Sequence, residues 1–414
     1  MSIRKLNIQP QKLLNAPVQL KDFCLLAIPN DDDHYTLLTD FEQFRPRFSL
    51  SCFAEDTISE FPTTNVTSHH DYPWFISGWI GVIDYPESAT AFARKEFRRY
   101  THSILIDPTM DYCLIHSIKP ITEELLQKYS EACTENTETP DLKSRTWQQA
   151  WTRADYQTAF DKVKNYLKAG DCYQINLTMP FTCTDDLRNC SPANLMSTFK
   201  PRHGCVIRSS ERTIFSVSPE RLLKITNGKL ETRPIKGTAP RDSDPTQDKV
   251  NADNLTQSDK NRAENLMIVD LLRNDLSIYA EPNSVRVEKL FELESHANVH
   301  HLVSTITARL RPGISNVSAL SAAFPGGSIT GAPKKRAMEI IDELEVQPRG
   351  AYCGSAGYID DNGNCDFNIL IRTIEAKKDG ATCWGGGGIV IDSEVDSEFD
   401  EIHSKVDKIL STPL

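Results

Sequence analysis

Nowhere in this sequence do two cysteines stand in a CxxC pair, and the eleven that are present have no zinc-ligand spacing. No apolar run is long enough to span a bilayer, and the start Met1-Ser2-Ile3-Arg4-Lys5-Leu6-Asn7 lacks the apolar centre of a signal peptide. There is no excess of basic charge: the formal net charge is −11, which argues against a general nucleic-acid or membrane-surface binder. No GxGxxG follows a strand-like run, and the GxxxxGK[ST] spacing of a phosphate loop is missing, so a dinucleotide or P-loop chemistry is not expected. Internal repeats and low-complexity tracts are also lacking. What remains is a chain of 414 residues with ordinary globular composition, 25% charged and 39% hydrophobic, and the expectation is a cytoplasmic protein with reduced thiols. An acidic balance still permits an anionic small substrate, which needs only a local cluster of cations.

The hydrophobic pattern divides the chain. Residues 1–140 mix short apolar runs with turn residues, and Trp74 to Ile83 is the strongest strand candidate there. One helical stretch lies between Pro120 and Lys143, with Thr134 to Pro140 as a polar linker. Beyond it, Asp155 to Ala169 carries Tyr156, Phe160, Val163 and Leu167 on one stripe and stops at Gly170, which predicts an amphipathic helix. Tyr173 to Thr178 alternates like a strand, and Asn227-Gly228 between two apolar runs predicts a hairpin. Near the end, Tyr352 to Ile359, Phe367 to Ala376 and Thr382 to Ile391 are separated by short turns and predict an antiparallel meander. Helices alternating with hairpins favour an α+β fold over a doubly wound sheet.

Several groups could carry chemistry. In the last helix, Glu398, Glu401, Lys405 and Lys408 adjoin an apolar face of Phe399, Ile402, Val406 and Ile409. That spacing allows a solvated face with a Glu401–Lys405 pair worth about 0.3–0.5 kcal/mol, or carboxylates for a hard cation such as Mg²⁺. A helix from about Ser258 to Asn274 sets Glu264 beside Ile268 and Leu271, as either a boundary residue or a metal ligand; Asp270 and Asp275 read better as cap or ion-pair partners. Gly385 to Gly388 are poor strand formers, and fit either a bulge or a backbone that approaches an anion. Pro325 to Lys335 is a second Gly-rich stretch entering a helix. Cys353-Gly354-Ser355 shares part of a papain-type motif but lacks the Cys and aromatic that follow it there, so a structural thiol is the better reading.

Gly170-Asp171-Cys172-Tyr173-Gln174-Ile175-Asn176-Leu177, Ser218-Pro219-Glu220-Arg221, Pro234-Ile235-Lys236-Gly237-Thr238, the Glu264 helix, His301 to Ser304, the Ser328 loop, Phe367 to Thr373 and Gly386 to Val390 occur in one order. Together they resemble the chorismate-utilising enzymes, the family of anthranilate, isochorismate, salicylate and aminodeoxychorismate synthases, and within it component I of the last. The resemblance runs from about Trp151 to the end and is weak before it, chiefly Trp74 to Tyr85. It implies an α+β fold of large antiparallel sheets packed with outer helices, with a chorismate-binding catalytic domain at 151–413 and an N-terminal region, 1–140, merged with it.

The resemblance also implies roles. Mg²⁺ would sit under the ring carboxylate of chorismate, with Glu264 and Glu401 at ligand positions and Glu398 nearby through water. Tyr352, Arg372, Lys405 and the amides of Gly387 and Gly388 match carboxylate-binding positions, Ser328 and His301 lie near the reacting ring, and Glu220 is an acid/base carboxylate. Lys236 discriminates: anthranilate synthases carry Ala there and aminodeoxychorismate synthases Lys, implying a covalent lysine mechanism. A lysine amine with its ordinary pKa near 10 is mostly protonated at neutral pH and needs burial or a neighbouring cation to attack. A pairing of Lys236 with a carboxylate such as Glu220 is the alternative. No glutaminase or lyase domain is recognisable, so ammonia is expected from a separate glutamine amidotransferase subunit. No tryptophan-sensing motif is recognisable, so tryptophan control is not expected. Anthranilate synthase component I and a non-catalytic chorismate-binding subunit are the competing readings.

Overall fold

The computed structural model describes residues 2–15, 22–28, 47–63, 75–134, 145–296 and 299–414. Among them the strands form one twelve-stranded and one ten-stranded sheet, antiparallel throughout. The fold is α+β. The two sheets face each other across a small core in which Ile80, Val82 and Ala356 of one meet Cys24, Ile207 and Ile214 of the other. A larger cluster holds the outer face of the first sheet against helices through Tyr156, Val163, Leu177, Ile402 and Val406. A second does the same for the other sheet through Leu223, Val269, Leu276, Ile306 and Phe367. Each fully buried side chain of this size contributes roughly 1.5–3 kcal/mol of transfer free energy.

Local chemistry sets the helix ends. The helix Arg153–Ala169 begins with a capping box in which Thr152 and Asp155 satisfy each other's backbone N–H groups, and ends at Gly170 with φ 81°. Its apolar stripe packs on the C-terminal helix Val395–Ser411, where Tyr156 and Phe399 lie 5.4 Å apart. Ser258 ends the helix Pro245–Gln257, and its side chain caps the next, Asp259–Ser277, by accepting from the Asn261 N–H. The Asn227-Gly228 turn joins strands Arg221–Thr226 and Lys229–Arg233, with φ 50° and 73° as a type I′ turn requires.

The N-terminal strands are built into both sheets. Phe23–Ala27 pairs with Cys205–Arg208, and Gly78–Ile83 pairs with Ser355–Asp360. The expected strand from Trp74 starts instead at Gly78, and Trp74 itself lies outside the described residues. The helix Glu123–Thr134 falls inside its expected window, whereas residues 135–140 of the expected linker lie outside the described residues.

Three expectations are corrected. The run Phe367 to Ala376 is not one strand: Cys365–Asn368 belongs to the ten-stranded sheet and Thr373–Lys377 to the twelve-stranded one. The three-strand meander is therefore two hairpins in different sheets, broken where Arg372 adopts φ 52°. Tyr352 sits in a turn ahead of its strand, which begins only at Ser355, because Cys353 takes φ 61° and Gly354 packs against the Ile83 carbonyl. Gly385 to Gly388 form no bulge. They run inside the strand Gly380–Ile389, paired residue for residue with Asn176 to Met179 of the strand Gln174–Cys183. Glycine is required by close approach: a Cβ on Gly385 would lie 2.7 Å from Ile402 of the covering helix.

Candidate active site

Two of the places where the chain crosses between the sheets are neighbours. One crossing, residues 217–220, links strands Arg212–Ser216 and Arg221–Thr226; the other, residues 369–372, links Cys365–Asn368 and Thr373–Lys377. Their ends are paired, Ser216 with Thr373 and Arg221 with Asn368. Between those pairs, the Val217 N–H donates to the Arg372 carbonyl at 3.1 Å and the Ile369 N–H to that of Glu220 at 3.0 Å. The Ser218 hydroxyl donates to the Ile369 carbonyl at 2.6 Å. Backbone hydrogen bonds thus hold the crossing that carries Glu220 against the crossing that carries Arg372.

Glu220 is 7% exposed, and its Oε1 accepts from the Ser328 hydroxyl at 3.0 Å. Burial pushes its carboxyl up to about 7, against the opposing pull of Lys236, the Ser328 bond, Lys405 and Arg372. Arg372 is held below the ordinary guanidinium range by burial, with Glu220 as its opposing charge. His301, 3% exposed, is lowered to about 3 by burial and by Arg372 among its charged neighbours, so its imidazole is neutral at physiological pH. Its Nδ1 is 2.9 Å from the Thr238 hydroxyl.

Lys236 sits in the strand Ile235–Pro240, on a bulge. Ile235 pairs with Val303 and Thr238 with His301, so Lys236 and Gly237 together oppose Leu302 alone. Gly237 supplies φ 89° there, and a Cβ on it would lie 2.9 Å from Leu255 and 3.0 Å from Asn261. The ammonium is felt at both Glu220 and Glu401.

On the other side, the C-terminal helix lies over the glycine strand. Lys405 Nζ donates to the Gly386 carbonyl at 3.0 Å and pairs with Glu401 at 2.7 Å. A Cβ on Gly387 would be 3.2 Å from Glu398 Oε2 and 3.7 Å from Lys405 Nζ. Burial raises Glu398, helped by Glu401 and opposed by its bond from Ser393 and by Lys260 and Lys405. Partial desolvation acts the same way on Glu401, whose side chain is 48% exposed, but Lys405, Lys236 and Lys260 outweigh it and hold that carboxyl low. Tyr352 stacks on Trp384 with ring centroids 5.9 Å apart and planes 8° from parallel.

Residues 34–411 match the chorismate binding enzyme family. The chain belongs to that family. A Klebsiella aerogenes protein named aminodeoxychorismate synthase component 1 is 49% identical over 270 residues, covering 64% of this chain and 59% of that protein. This chorismate binding enzyme thus aligns with about three fifths of the length of that relative. A Bacillus subtilis protein of the same name is 33% identical over 384 residues, 84% of this chain and 79% of its own. Anthranilate synthase component I of Streptococcus pneumoniae superposes with a TM-score of 0.73 at 26% identity, covering 94% of this chain and 92% of that one. The menaquinone-specific isochorismate synthase of Escherichia coli shares the fold, with a TM-score of 0.71 at 16% identity over 99% and 94% of the two chains.

Among the described residues of this chorismate binding enzyme, no three His, Cys, Asp or Glu side chains are gathered closely enough to hold a metal ion as they stand. The charge of Lys260 nevertheless acts on carboxyls from both helices. Lys260 Nζ is 3.9 Å from Glu264, and its charge pulls Glu398 and Glu401 downward. Glu264, Glu398 and Glu401 offer oxygen donors only, the donor type that fits a hard divalent cation.

Lys260 was not singled out from the sequence, although its place four residues before Glu264 on one helix was readable. Thr238, which orients His301, and Asn265, which donates to the Leu302 carbonyl at 3.2 Å, were also missed. Asp270 and Asp275 are ion-pair partners of Arg273 and Lys334, at 2.7 and 3.0 Å. Cys353 is 1% exposed and its thiol is pushed up to about 12 by burial, which makes it a structural residue.

Proposed function

We propose that this chain acts as component I of an aminodeoxychorismate synthase, a cytoplasmic transferase that converts chorismate and ammonia to 4-amino-4-deoxychorismate for 4-aminobenzoate and folate biosynthesis. The observation that carries the reading is Lys236: a bulged amine whose charge reaches both the buried Glu220 and Glu401, in a chain with relatives of that name. The Lys236 amine, in its free form, attacks the second ring carbon. The two conjugated ring double bonds shift in turn, the bond from the fourth carbon to its hydroxyl breaks, and Glu220 gives the proton with which that oxygen leaves as water. A carboxyl near 7 is partly protonated at neutral pH and so has a proton to give. Ammonia then bonds to the fourth carbon, both double bonds shift back, and the lysine departs as the free amine. The new ammonium returns a proton to Glu220.

Arg372, Lys405, Tyr352 and the amides of Gly387 and Gly388 would hold the substrate carboxylates, with Arg372 offering a planar fork. Glu264 and Glu401, with Glu398 through water, would hold Mg²⁺, which when bound supplies positive charge for the ring carboxylate. Neutral His301 would pack against the ring beside Ser328. A glutamine amidotransferase subunit would deliver the ammonia.

The test is product analysis. Purified protein is incubated with chorismate, Mg²⁺ and ammonium, and anthranilate fluorescence is followed beside 4-aminobenzoate formed by an added lyase. The 4-aminobenzoate signal is expected; anthranilate as the main product would establish the competing anthranilate synthase reading, which the likeness to the Streptococcus pneumoniae structure favours.

A further inference from the structure

Behind the site, one edge of the strand Gln174–Cys183 lacks a continuous strand neighbour among the described residues. Gly331–Ala332 covers only its start, at Gln174 and Ile175, and Gln148–Gln149 covers only Phe181 and Thr182. Between those short partners the backbone groups of Asn176 and Thr178 point away from the glycine strand. The Asn176 N–H donates to the Thr330 carbonyl at 2.8 Å, and two side chains take up the Asn176 carbonyl and the Thr178 N–H. Arg349, 2% exposed, donates from Nη2 to the Asn176 carbonyl at 2.7 Å. Glu345 accepts through Oε1 from the Thr178 N–H at 3.0 Å and from its hydroxyl at 2.7 Å. The two form a two-bond fork with each other, Nε to Oε2 at 2.8 Å and Nη2 to Oε1 at 2.7 Å.

The same guanidinium reaches the site. Its Nη1 donates to the Ile329 carbonyl at 2.9 Å, one residue from the hydroxyl that meets Glu220. Asn176 adds a second donor to that carbonyl at 3.0 Å. On the far side, Arg349 lies over the Tyr85 ring at 4.7 Å. A buried ion pair is a poor way to add stability, since apolar residues of the same volume often serve as well, so its geometry is the more informative property. We propose that Arg349, held by Glu345, is a positioning residue that fixes the Gly327–Ile329 turn so that the Ser328 hydroxyl meets Glu220. Lysine cannot replace it, because one ammonium cannot serve the Glu345 carboxylate, Asn176 and Ile329 in a planar fork.

The inference rests on the proposed reaction for its kinetic readout, so the experiment carries a second readout that needs no turnover. Arg349→Lys, Ser328→Ala and the double variant are compared, with Arg98→Lys as reference. Arg98 is also buried, but bonds to Glu96 and the Arg208 carbonyl, away from the site. In the pH profile of the chorismate rate, the midpoint belonging to Glu220, which also faces Lys236, Arg372 and Lys405, is expected to move upward in both singles and no further in the double. The rate at the plateau should fall roughly tenfold or more in each single without multiplying in the double. A merely unfolded fraction would scale the plateau and leave the midpoint in place. Amide exchange over residues 326–330 should quicken in Arg349→Lys and stay unchanged in Arg98→Lys. Multiplying rate losses, or unchanged exchange at 326–330, would overturn the inference. If the unaltered protein turns over no chorismate, the proposed function fails and the exchange measurement alone decides this one.

Discussion

Lys236 is the strongest opposing charge on Glu220: among the groups that pull this buried carboxyl downward, the lysine acts first, ahead of the Ser328 hydrogen bond. The two residues reach each other from different devices, Lys236 from a bulge in its strand and Glu220 from a crossing between sheets. The ammonium of Lys236 favours the ionised form of Glu220, and burial opposes it.

Lys236→Ala is therefore expected to reduce 4-amino-4-deoxychorismate formation by roughly 100-fold or more, as loss of a covalent nucleophile does. Coupled 4-aminobenzoate assay measures it, with anthranilate followed in parallel as the product that the variant could gain. Product formation at the unaltered rate would rule out an obligatory covalent lysine.

Glu220→Gln tests the raised carboxyl through stability. The folded state binds a proton more tightly than the unfolded chain, whose carboxyl titrates near 4.5. Below that pH both states are protonated and there is no cost; the cost grows as pH rises and is complete above about 7, at roughly 3 kcal/mol. The Gln variant should accordingly melt higher than the parent at pH 8 and close to it near pH 4.5. Equal differences at both values would contradict the buried, raised carboxyl.

Glu264→Gln should weaken Mg²⁺ binding by about tenfold or more, read by titration calorimetry without substrate, and should raise the Mg²⁺ concentration needed for half-maximal rate. Lys260→Ala should act in the opposite direction on the same titration, because it removes the ammonium that competes for the three carboxylates.

Two adjacent glycines should fail differently. A Cβ at Gly386 would lie 2.3 Å from Thr178 Cγ2 and 2.5 Å from the Leu177 carbonyl, so Gly386→Ala should lower stability by about 1–3 kcal/mol in thermal melts. At Gly387 the Cβ meets Glu398 at 3.2 Å and Lys405 at 3.7 Å, both side-chain ends that can give way. Gly387→Ala should fold normally and lose substrate affinity, seen as a raised chorismate KM.

The parts of the fold legible in the sequence were those settled locally. Gly170 ended its helix, Asn227-Gly228 made its hairpin, and Ile402, Val406 and Ile409 were buried, with Phe399 partly so, as their spacing required. The break at Arg372 was hidden because apolar residues flank it on both sides, and no local signal tells an alternating run that it changes sheets. The strands Arg286–Ser295 and Val299–Arg309 were not recognised as a pair: their shared register shifts twice, so neither shows a clean alternation. At the site, Glu220, Arg372 and Ser328 were identified by resemblance and are joined by the structure. The role of the Lys236 bulge depends on Leu302 opposite it, 66 positions away in number, which periodicity cannot see.

The pairing of N-terminal strands into both sheets has a consequence for recombination among relatives. Joining the first third of one homologue to the remainder of another creates two seams at once, at Phe23–Ala27 against Cys205–Arg208 and at Gly78–Ile83 against Ser355–Asp360. A slip of one residue at either seam reverses which side chains face inward. Cys205 pairs with Ser216 and Gly357 with Phe367, so both seams lie one strand from the crossings that hold Glu220 and Arg372. Chimeras should tolerate exchange of whole strand pairs and reject exchange of single strands.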